Sequence, residues 1–475
     1  MKLSIAFVND VHGYLEPHPE IFLSGSEYAV KTAGGYSRLQ TLISDIRRKN
    51  QHTIVFDGGD TFHGTLPIVA TKGEALVPIL NQIGFDAMVG HWDFAYGPQH
   101  LLNLAGQLSY PILAINIYDA QNELLLKPYV LQQIGEIKVA TIGICSNIID
   151  KTMPKEFSEG IRVSDGIQEL PKYIQEVKKY GADLIILLSH SGFPQDFKIL
   201  SQIEGIDICL SAHTHNRLFE PVIVNDTIII QCGCHGSFLG HLELELESKK
   251  VRDFNYELIE VDESILPDLE MEKTIQNILK PYHQLKTEVI GETSVVLHRY
   301  DTLNSSADHL LLSAVKEVTK ADVCFSNGWR YGAPISAGPV TKWDIYNLAP
   351  MDPVISTLEM KGIEIVEMLE ENLERTFSSD PSGQMGGYVK RCLGLTVYMR
   401  IENPKGHRIQ QIFIGNEVLR KEQVYKVGYI TSQGVPEKFG QNRQNTTLRL
   451  VEAVVSFLAI NSPFQPNNHM AFHLV

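Results

Sequence analysis

The sequence predicts an α/β protein of two domains. A chain of 475 residues is too long for one hydrophobic core, so domains of about 200 to 250 residues each are expected. In the first half, short β-branched runs alternate with polar turns and segments of helical length. This pattern gives way to strict alternation after Gly240, and a second α/β segment begins near residue 291.

Eight apolar runs in the first half predict the strands of a largely buried sheet with α/β connections. They lie at 3–8, 53–56, 87–90, 111–116, 138–144, 183–188, 207–212 and 227–231. Residues 166–180 carry apolar side chains at helical spacing, which predicts a helix before one of these strands. The stretch "HLELELE" followed by "RDFNYELIEV" predicts an antiparallel hairpin that closes the sheet.

A domain boundary is expected at residues 262–268, "DESILPD". The pattern that follows predicts an amphipathic linker helix, interrupted or kinked at Pro281. We therefore expect a first domain over 1–262, a linker helix over 263–290 and a second domain over 291–475. Within the second domain, the pattern predicts helices over 305–319 and near 361–376, and strands at 322–327, 393–401, 409–414 and 424–430.

Composition narrows the class of function. Hydrophobic residues make up 44% and charged residues 20%, which is typical of a folded globular protein. The formal net charge of −15 argues against binding to a nucleic-acid polymer, which requires many Lys and Arg side chains. An acidic enzyme that acts on an anion must concentrate positive charge locally, through metal ions or a few arginines.

The N-terminal sequence and the cysteines indicate the compartment that we expect. The stretch "MKLSIAFVND" lacks the long apolar core of a signal peptide, and no run approaches the length of a membrane span, so we expect a cytoplasmic protein without a membrane partner. Six cysteines in so long a chain do not form a disulfide framework. We interpret Cys232 and Cys234 as structural thiols rather than as a metal site.

Polar residues follow five of the predicted strands. The stretches are "FVNDVHG", "VFDGGDTFHG", "VGHWDF", "LLSHSG" and "LSAHTHN", which supply Asp10, His12, Asp57, Asp60, His91, Asp93, His190, His213 and His215. In an open α/β sheet, the loops after the carboxyl ends of the strands share one rim. Residues two apart, as in D-x-H or H-x-H, point the same way when the chain is extended.

Imidazole and carboxylate groups are the ligands that suit Zn, Mn or Fe. A single histidine at a strand end is most often a packed core residue, but five successive turns of this kind favour a metal site. The set is large enough for two ions that share one carboxylate. Two cations about 3.5 to 4 Å apart can hold a hydroxide and polarise the oxygens of a tetrahedral anion.

These motifs resemble those of the calcineurin-like metallophosphoesterases, and more closely their two-domain 5′-nucleotidase branch. The matches are "NDVHG", "GGDTFHGT", "GHWDF", "LLSHSG" and "SAHTHN" in order, with "SNGWRYG" and "GGYVKRCLGL" in the second domain. The resemblance implies an α/β fold of the α+β sandwich type. A four-layer metallophosphoesterase domain would precede a 5′-nucleotidase C-terminal-type α/β domain.

The resemblance also implies a ligand set for two divalent ions, Mn or Zn, with Fe as a further candidate. One ion would be held by Asp10, His12, Asp60 and His215. Asp60 would bridge to a second ion, held also by His91, His190 and His213. For Asp57 two interpretations stay open: a carboxylate that orients a ligand, or one that caps its own turn.

The third motif departs from the family pattern. Ordinary 5′-nucleotidases read G-N-H-E with an aspartate two residues later, where the Asn is a ligand and the His–Asp pair assists the leaving group. Here His91 takes the position of the ligand Asn, while Trp92 and Ala95 take those of the pair. The site then suits a leaving group that needs little protonation, such as a phosphoanhydride, an aryl phosphate or a thiol. His63 could supply a proton, although we interpret it as an exposed loop residue.

The motif G-H-W-[D/E]-F is similar to that of the Sox-type thiosulfohydrolases (SoxB), which release sulfate from a cysteine-bound sulfonate with two manganese ions. Those enzymes are exported and work with a carrier protein. Because this sequence shows no export signal, we do not expect a carrier protein here.

The resemblance gives the second domain the task of recognising the substrate. Arg330 matches the family arginine that contacts the substrate anion, and a guanidinium suits a tetrahedral oxyanion well; the alternative is a surface arginine that caps a turn. Asn327 and Gly328 would form the turn that carries it. Arg391 is a second candidate. Tyr388 or Phe439 could stack a base, although a packed aromatic residue is the alternative in each case.

The main hypothesis is a two-metal hydrolase of a phosphate ester or anhydride, a nucleotide or a related small anionic phosphate. A metal-bound hydroxide would attack while His91 and the ions polarise the acceptor oxygens, and Arg330 would clamp the anion. Two alternatives stay open: a SoxB-like dimanganese thiosulfohydrolase that acts on an S-sulfonate, and a non-catalytic metal-binding homologue.

Overall fold

The structure, a computed structural model, describes residues 1–25, 27–327, 331–466 and 470–475. Its contacts divide the chain into two units. The first unit contains Met1–Glu20 and Lys31–Lys280, and the second contains Ile21–Val30 and Pro281–Val475. No helix among the described residues combines the length and the apolar character that crossing a bilayer requires.

Up to Lys280, the described residues form fifteen strands and eight α-helices. The strands are β1 (Lys2–Val8), β2 (His18–Ser24), β3 (Glu27–Ala33), β4 (Thr53–Asp57), β5 (Ala87–Met88), β6 (Ile117–Tyr118), β7 (Tyr129–Ile134), β8 (Ile137–Ile144), β9 (Arg162–Val163), β10 (Leu184–Ser189), β11 (Ile208–Ser211), β12 (Val222–Val224), β13 (Thr227–Ile230), β14 (Phe238–Glu247) and β15 (Lys250–Glu260). The helices are α1 (Tyr36–Lys49), α2 (Leu66–Ala70), α3 (Val77–Ile83), α4 (Pro98–Ala105), α5 (Ile149–Thr152), α6 (Leu170–Lys179), α7 (Phe193–Gln202) and α8 (Leu269–Leu279).

Seven of the eight predicted apolar runs lie in two sheets rather than one. The first sheet has the order β15-β14-β1-β4-β5, and the second has the order β12-β13-β11-β10-β8-β7. The pairs β1–β4 and β4–β5 are parallel, as are β8–β10, β10–β11 and β11–β13. The predicted hairpin is β14–β15, which pairs antiparallel at the edge of the first sheet. A sequence pattern shows that a strand is buried, but not which neighbour it pairs with.

One predicted strand does not form a ladder. The run 111–116 makes isolated bridges, between Met88 and Ile112 and between Leu113 and Lys127. Pro111 has no backbone N–H to donate, and the backbone of Ile115 bonds instead to Gly143, so this segment changes partner every few residues.

The apolar side chains of helix α6 pack the helix with the second sheet. Its first turn contains Pro171, which fits there because the first helical N–H groups have no partner within the helix. Its buried side chains, Leu170, Tyr173, Ile174 and Val177, pack with apolar residues of the second sheet. The prediction of a helix over 166–180 is therefore confirmed, with a start four residues later.

Helix α8 ends at Leu279, and a 3₁₀ turn at Lys280–Tyr282 separates it from α9 (His283–Thr287), so the predicted interruption at Pro281 is present. The other elements of the second unit are β16 (Val289–Thr293), α10 (Ser306–Thr319), β17 (Val323–Ser326), β18 (Gly338–Thr341), α11 (Lys342–Leu348), β19 (Val354–Lys361), α12 (Gly362–Phe377), β20 (Arg391–Leu393), β21 (Leu395–Met399), β22 (Ile409–Ile414), β23 (Glu417–Val418), β24 (Val424–Ile430), α13 (Thr431–Gly434), β25 (Gln441–Arg449), α14 (Leu450–Asn461) and β26 (Phe472–Leu474).

The second unit has a five-stranded sheet, β20-β17-β24-β19-β25, and a four-stranded sheet, β23-β22-β21-β26. Helices α10 and α14 pack with the inner strands in one apolar cluster, and α12 packs in another. The structure thus has the two-domain α/β architecture that the sequence predicts.

Candidate metal centre

The candidate ligands follow strands of the five-stranded and the six-stranded sheet of the first unit. Asp10 and His12 follow β1, Asp60 follows β4 and His91 follows β5, whereas His190 follows β10, and His213 and His215 follow β11. The structure brings all seven together in two groups, within each of which the ligand atoms lie within 4.8 Å of one another. The groups are Asp10, His12, Asp60 and His215, and Asp60, His91, His190 and His213. Asp60 belongs to both.

The two oxygens of Asp60 face different histidines. Oδ2 lies 3.6 Å from His12 Nε2 and 3.4 Å from His190 Nε2, and Oδ1 lies 3.4 Å from His91 Nδ1. Asp10 Oδ1 lies 3.2 Å from His215 Nε2. Two atoms that bind the same ion at about 2.1 Å are roughly 3 to 3.5 Å apart, so these separations suit shared ions.

Backbone carbonyls orient two of the imidazoles. His190 Nδ1 lies 2.5 Å from the carbonyl oxygen of Gly58, and His12 Nδ1 lies 3.1 Å from that of His63. When Nδ1–H donates to a carbonyl, Nε2 is left as the ligand atom, which is the usual arrangement around a bound metal. Residue 64 must be glycine here, because a Cβ would lie 2.2 Å from the carbonyl oxygen of His12.

The chemistry of the donor set fits divalent cations. Asp10 Oδ1, both ring nitrogens of His91 and Nε2 of His190 are buried and form no hydrogen bond with any described residue. Buried polar atoms without hydrogen bonds are costly, and a pair of cations would supply partners for Asp10 Oδ1, for Nε2 of His190 and for one ring nitrogen of His91. The residues present therefore fit a pair of divalent ions.

Five of the seven candidate ligands have a left-handed backbone. The φ angles are 53° at Asp10, 51° at His12, 56° at Asp60, 75° at His213 and 57° at His215. Residues other than glycine rarely adopt this backbone conformation. It persists where the surrounding structure enforces it, commonly at functional sites. In this fold the left-handed backbone turns the polar side chains that follow a strand toward the candidate metal centre.

Burial and mutual charge set the protonation of the cluster. Burial opposes ionisation of Asp10, but the facing imidazoles of His215 and His190 hold the pKa of this carboxyl below its ordinary value. Burial also opposes ionisation of Asp60, but the nearby imidazoles of His190, His91 and His12 hold the pKa of this carboxyl well below its ordinary value. The carboxylates are therefore ionised and ready to bind cations.

Asp93 organises the loops around Asp60, a role that the sequence did not reveal. Its Oδ1 accepts hydrogen bonds from the backbone N–H groups of Thr61 and Phe62, each at 2.9 Å, and its Oδ2 accepts from those of Asp60 and His91 at 2.9 and 3.0 Å. One buried carboxylate thus fixes both the shared ligand and the neighbouring one.

Asn9, unlike Asp93, is not among the residues singled out from the sequence. Its Nδ2 donates to Asp10 Oδ2 at 2.7 Å and to the carbonyl of Gly233 at 2.8 Å, while its Oδ1 accepts from the N–H of Cys232. The N–H of His213 also donates to Asp10 Oδ2, at 2.9 Å. With Oδ2 held in this way, Oδ1 of Asp10 is the oxygen that faces the imidazoles.

Asp57 has the turn-capping arrangement. Its Oδ1 accepts from the N–H of Gly59 at 2.9 Å, and the hydroxyl of Thr61 donates to both carboxylate oxygens. Burial raises the pKa of Asp57 to about 7. None of its hydrogen bonds among the described residues reaches a candidate ligand side chain.

The position of the family's catalytic pair is aromatic and apolar here. The backbone N–H of Trp92 donates to Asp60 Oδ1 at 2.6 Å, and its half-buried indole packs against His63 and Phe157, with ring centroids 4.9 and 5.9 Å away. The interpretation of His63 as an exposed loop residue is wrong: the side chain is 1% exposed, and burial lowers its pKa to about 4. It is buried because it packs between Trp92 and Tyr96.

An open groove of about 550 Å³ lies beside this segment, lined in part by Ala95, Tyr96, Lys72, Glu156 and Glu159. Ala95 therefore presents a methyl group to the groove where the family pattern has a carboxylate. Neither residue 92 nor residue 95 can donate a proton to a leaving group.

The predicted recognition residues lie in the second unit, and Gly328 and Arg330 fall outside the described residues. Asn327 Nδ2 donates to Gln433 Oε1 at 3.3 Å. The half-buried ring of Tyr388 lies beneath the guanidinium of Arg391, 4.8 Å from its centroid. Phe439 is 7% exposed and packs in an apolar cluster, as in the packed alternative.

Arg391 is engaged within its own unit. Its side chain is 3% exposed, its Nη2 donates to the carbonyl of Asp301 at 2.7 Å, and its Nη1 donates to that of Thr302 at 3.1 Å. Its Nε lies 3.8 Å from Asp308 Oδ2. These partners give Arg391 a place in the core of the unit, and contact with a substrate stays a prediction.

Two family models match the chain. Residues 3–217 match the model described as calcineurin-like phosphoesterase, and residues 288–431 match that described as 5′-nucleotidase, C-terminal domain.

Similar curated proteins include the trifunctional nucleotide phosphoesterase protein YfkN of Bacillus subtilis (strain 168), 25% identical over 90% of this chain and 31% of its own length. This chain therefore spans about a third of YfkN. The 5′-nucleotidase of Bos taurus is also 25% identical, over 90% of this chain and 82% of its own.

Solved structures share the whole fold. The sulfate thiohydrolase SoxB of Thermus thermophilus superposes with a TM-score of 0.93, at 23% identity, covering 100% of this chain and 96% of its own. A 5′-nucleotidase precursor, also from Thermus thermophilus, gives 0.88 at 21% identity, covering 100% of this chain and 99% of its own. At these identities the likeness shows the fold.

Proposed function

Because this chain belongs to the calcineurin-like metallophosphoesterases and carries the C-terminal domain of the 5′-nucleotidases, we propose that it hydrolyses a nucleotide or a related small phosphate. The bond cleaved would be a phosphate ester or anhydride. The observation that carries this proposal is the convergence of seven candidate ligands, six of them buried and His215 half-buried, in two groups that share Asp60.

Asp10, His12, Asp60 and His215 would hold one ion, and Asp60, His91, His190 and His213 the other. The donor set favours Mn²⁺ or Zn²⁺, and Fe²⁺ also suits it. A bound pair supplies an activated water and stabilises the charge that develops on the transferred group. The chain's own residues set the geometry, because Asp93 and the backbone of Trp92 hold Asp60 between the two groups.

Trp92 and Ala95 restrict the kind of leaving group that the site can release. A general acid accelerates departure of a poor leaving group by about 10²- to 10⁴-fold, and these two side chains cannot act as one. The proposed substrates are therefore those whose leaving group departs with little protonation, such as phosphoanhydrides and aryl phosphates. Arg330 stays our candidate for the contact with the substrate anion, and Asn327, Tyr388 and Arg391 stay further candidates for substrate binding.

A second candidate function rests on the sequence G-H-W-D-F at residues 90–94. Its likeness to the Sox-type motif favours hydrolysis of an S-sulfonate, with release of sulfate and a thiol. A thiolate also departs without a general acid, so the absent proton donor is compatible with either bond.

One experiment separates these functions. The purified full chain, analysed for its metal content, is assayed with added Mn²⁺ or Zn²⁺ on p-nitrophenyl phosphate, a nucleoside monophosphate, a nucleoside diphosphate and S-sulfocysteine. We expect metal-dependent release of phosphate, fastest from the aryl phosphate and the anhydride. Turnover of S-sulfocysteine alone would favour the second candidate, and bound metal without turnover of any substrate would identify a non-catalytic homologue.

A further inference from the structure

A second cluster of candidate ligands lies beside the dinuclear one. His18, Glu20 and His235 are all buried, and each offers one ligand atom within 4.8 Å of the others. His18 and Glu20 are two residues apart at the start of β2, where alternate side chains share one side of the strand. His235 lies on the loop after β13. None of the three belongs to the seven ligands described above.

The separations within this cluster lie close to those expected around a shared ion. Glu20 Oε2 lies 3.3 Å from His235 Nδ1 and 4.0 Å from His18 Nε2. The second distance is too long for a hydrogen bond. Atoms that bind one Zn²⁺ at about 2.0 to 2.1 Å are roughly 3 to 3.5 Å apart, so the first distance suits a shared ion and the second would have to shorten by about 0.5 Å when an ion binds.

Neighbouring groups orient the ligand atoms inward. His18 Nδ1 lies 3.2 Å from the carbonyl oxygen of Glu16, which leaves Nε2 facing Glu20. The Nη2 of Arg217 donates to Glu20 Oε1 at 3.1 Å, which leaves Oε2 facing the two imidazoles. Outer partners of this kind, a carbonyl for an imidazole and a donor for a carboxylate, are typical of metal sites.

A hydrogen-bonded network is the alternative, with Arg217 as the counter-charge of Glu20. The hydroxyl of Ser237 lies 2.9 Å from Glu20 Oε2 and 3.2 Å from His18 Nε2. In that network His18 Nδ1 donates to the carbonyl of Glu16, the hydroxyl of Ser237 donates to His18 Nε2, and His235 Nδ1 donates to Glu20 Oε2 at 3.3 Å. A cation would take the place of the hydrogens between these ligand atoms, and Arg217 would neutralise part of the carboxylate's charge without occupying Oε2.

We propose that His18, Glu20 and His235 bind a third divalent cation, with Zn²⁺ favoured by two imidazoles and one carboxylate. The ion would tie the segment after β1 to the loop after β13. The ring of His235 lies 6.2 Å from that of His12 and 6.3 Å from that of His215, centroid to centroid. The third ion would therefore brace one side of the dinuclear centre, a structural role that is separate from the proposed hydrolysis.

Metal counting tests this proposal. The full chain is loaded with Zn²⁺, freed of excess metal by gel filtration and measured by elemental analysis alongside three variants. We expect three ions per chain in the wild type, two in His18→Ala, and one in Asp60→Asn, which removes the ligand shared by the dinuclear pair. The matched control is His100→Ala, because His100 is half-buried and bonds to the carbonyl of Lys72 outside both clusters; it should keep three.

A count in His18→Ala equal to that of the wild type overturns the proposal, and so does a wild-type count of two that falls to none in Asp60→Asn. Circular dichroism shows whether each variant is folded, and the counts of the wild type and Asp60→Asn keep the test decisive if His18→Ala is not. Failure of the dinuclear centre gives a different outcome: Asp60→Asn would then bind as many ions as the wild type.

Discussion

The backbone N–H of Trp92 donates a 2.6 Å hydrogen bond to Oδ1 of Asp60, the carboxylate common to both candidate ligand groups. The contact is made by the main chain, so it does not depend on which side chain residue 92 carries. The position at which the family has a catalytic histidine thus keeps its link to the shared ligand while its side chain is apolar. The side chain of residue 92 can therefore be replaced without removing the backbone hydrogen bond to Asp60.

Restoring the family's pair should therefore add general-acid assistance. In the double variant Trp92→His/Ala95→Asp, we expect the ratio of kcat/KM for a nucleoside monophosphate to that for p-nitrophenyl phosphate to rise about tenfold or more, because only the poorer leaving group gains from protonation. Steady-state kinetics with both substrates measure the ratio. The single variant Ala95→Asn controls for the change in the groove. An unchanged ratio in a folded, metal-loaded double variant would contradict this account of the leaving group.

Asp60 and Asp57 lie in the same motif but should respond differently to loss of charge. Asp60→Asn removes a carboxylate that both ligand groups share, and we expect the loss of both ions of the pair and a fall in kcat of about 10³-fold or more. Asp57→Asn keeps an oxygen that can accept from Gly59 and Thr61, so we expect near-normal metal content and activity. Elemental analysis and kinetics on both proteins test this contrast. Equal losses in the two variants would show that Asp57 acts on the ions.

The sequence predicted the parts of the site that depend on local chain geometry. A strand followed by D-x-H or H-x-H places its polar residues at the strand's carboxyl end whatever the rest of the fold does, so nine polar residues could be selected from five short stretches. The family resemblance then reduced these nine residues to the seven candidate ligands. The left-handed backbone at Asp10 and His12 could not be read in the same way. Such a conformation is imposed by the surrounding structure rather than favoured by these residue types.

The sequence could not predict roles that depend on distant segments. Asp93 bonds to backbone groups of residues 60–62, and His235 meets a glutamate more than 200 residues earlier in the chain. In the second unit, strand β25 has mostly exposed or half-buried side chains, and it forms because β19 pairs with it, not because its own pattern demands a strand. Pairings of this kind are decided by tertiary structure.

Asp93 should be more important for stability than any exposed carboxylate. In Asp93→Asn, an amide NH₂ would face backbone N–H donors that now bond to a carboxylate oxygen, so at least two hydrogen bonds are lost in a buried place. We expect a loss of about 2 to 5 kcal/mol in the free energy of unfolding, with weaker metal binding. Urea denaturation measures the first and competition with a chelator the second. Asp45→Asn, whose partner Arg48 is exposed, is the control and should change little.

Lys390 gives the second unit a dependence of stability on pH. Its side chain is 6% exposed, its Nζ donates to the carbonyls of Gln433 and Gly434, and burial, aided by repulsion from Arg375, lowers its pKa from 10.5 to about 8. Between pH 8 and 10.5 the unfolded chain therefore binds more protons at this residue than the folded one, so raising the pH favours the folded state.

Relative to the variant Lys390→Met, the wild type should gain about 3 kcal/mol in free energy of unfolding between pH 7 and pH 10.5, since each unit of pKa shift corresponds to about 1.4 kcal/mol. The comparison of the two proteins cancels the titration of all other groups. Denaturant unfolding at several pH values, followed by a probe in the second unit, measures the difference. The same pH dependence in both proteins would mean that Lys390 stays protonated at its buried position, and that its two carbonyl partners offset the cost of burying its charge.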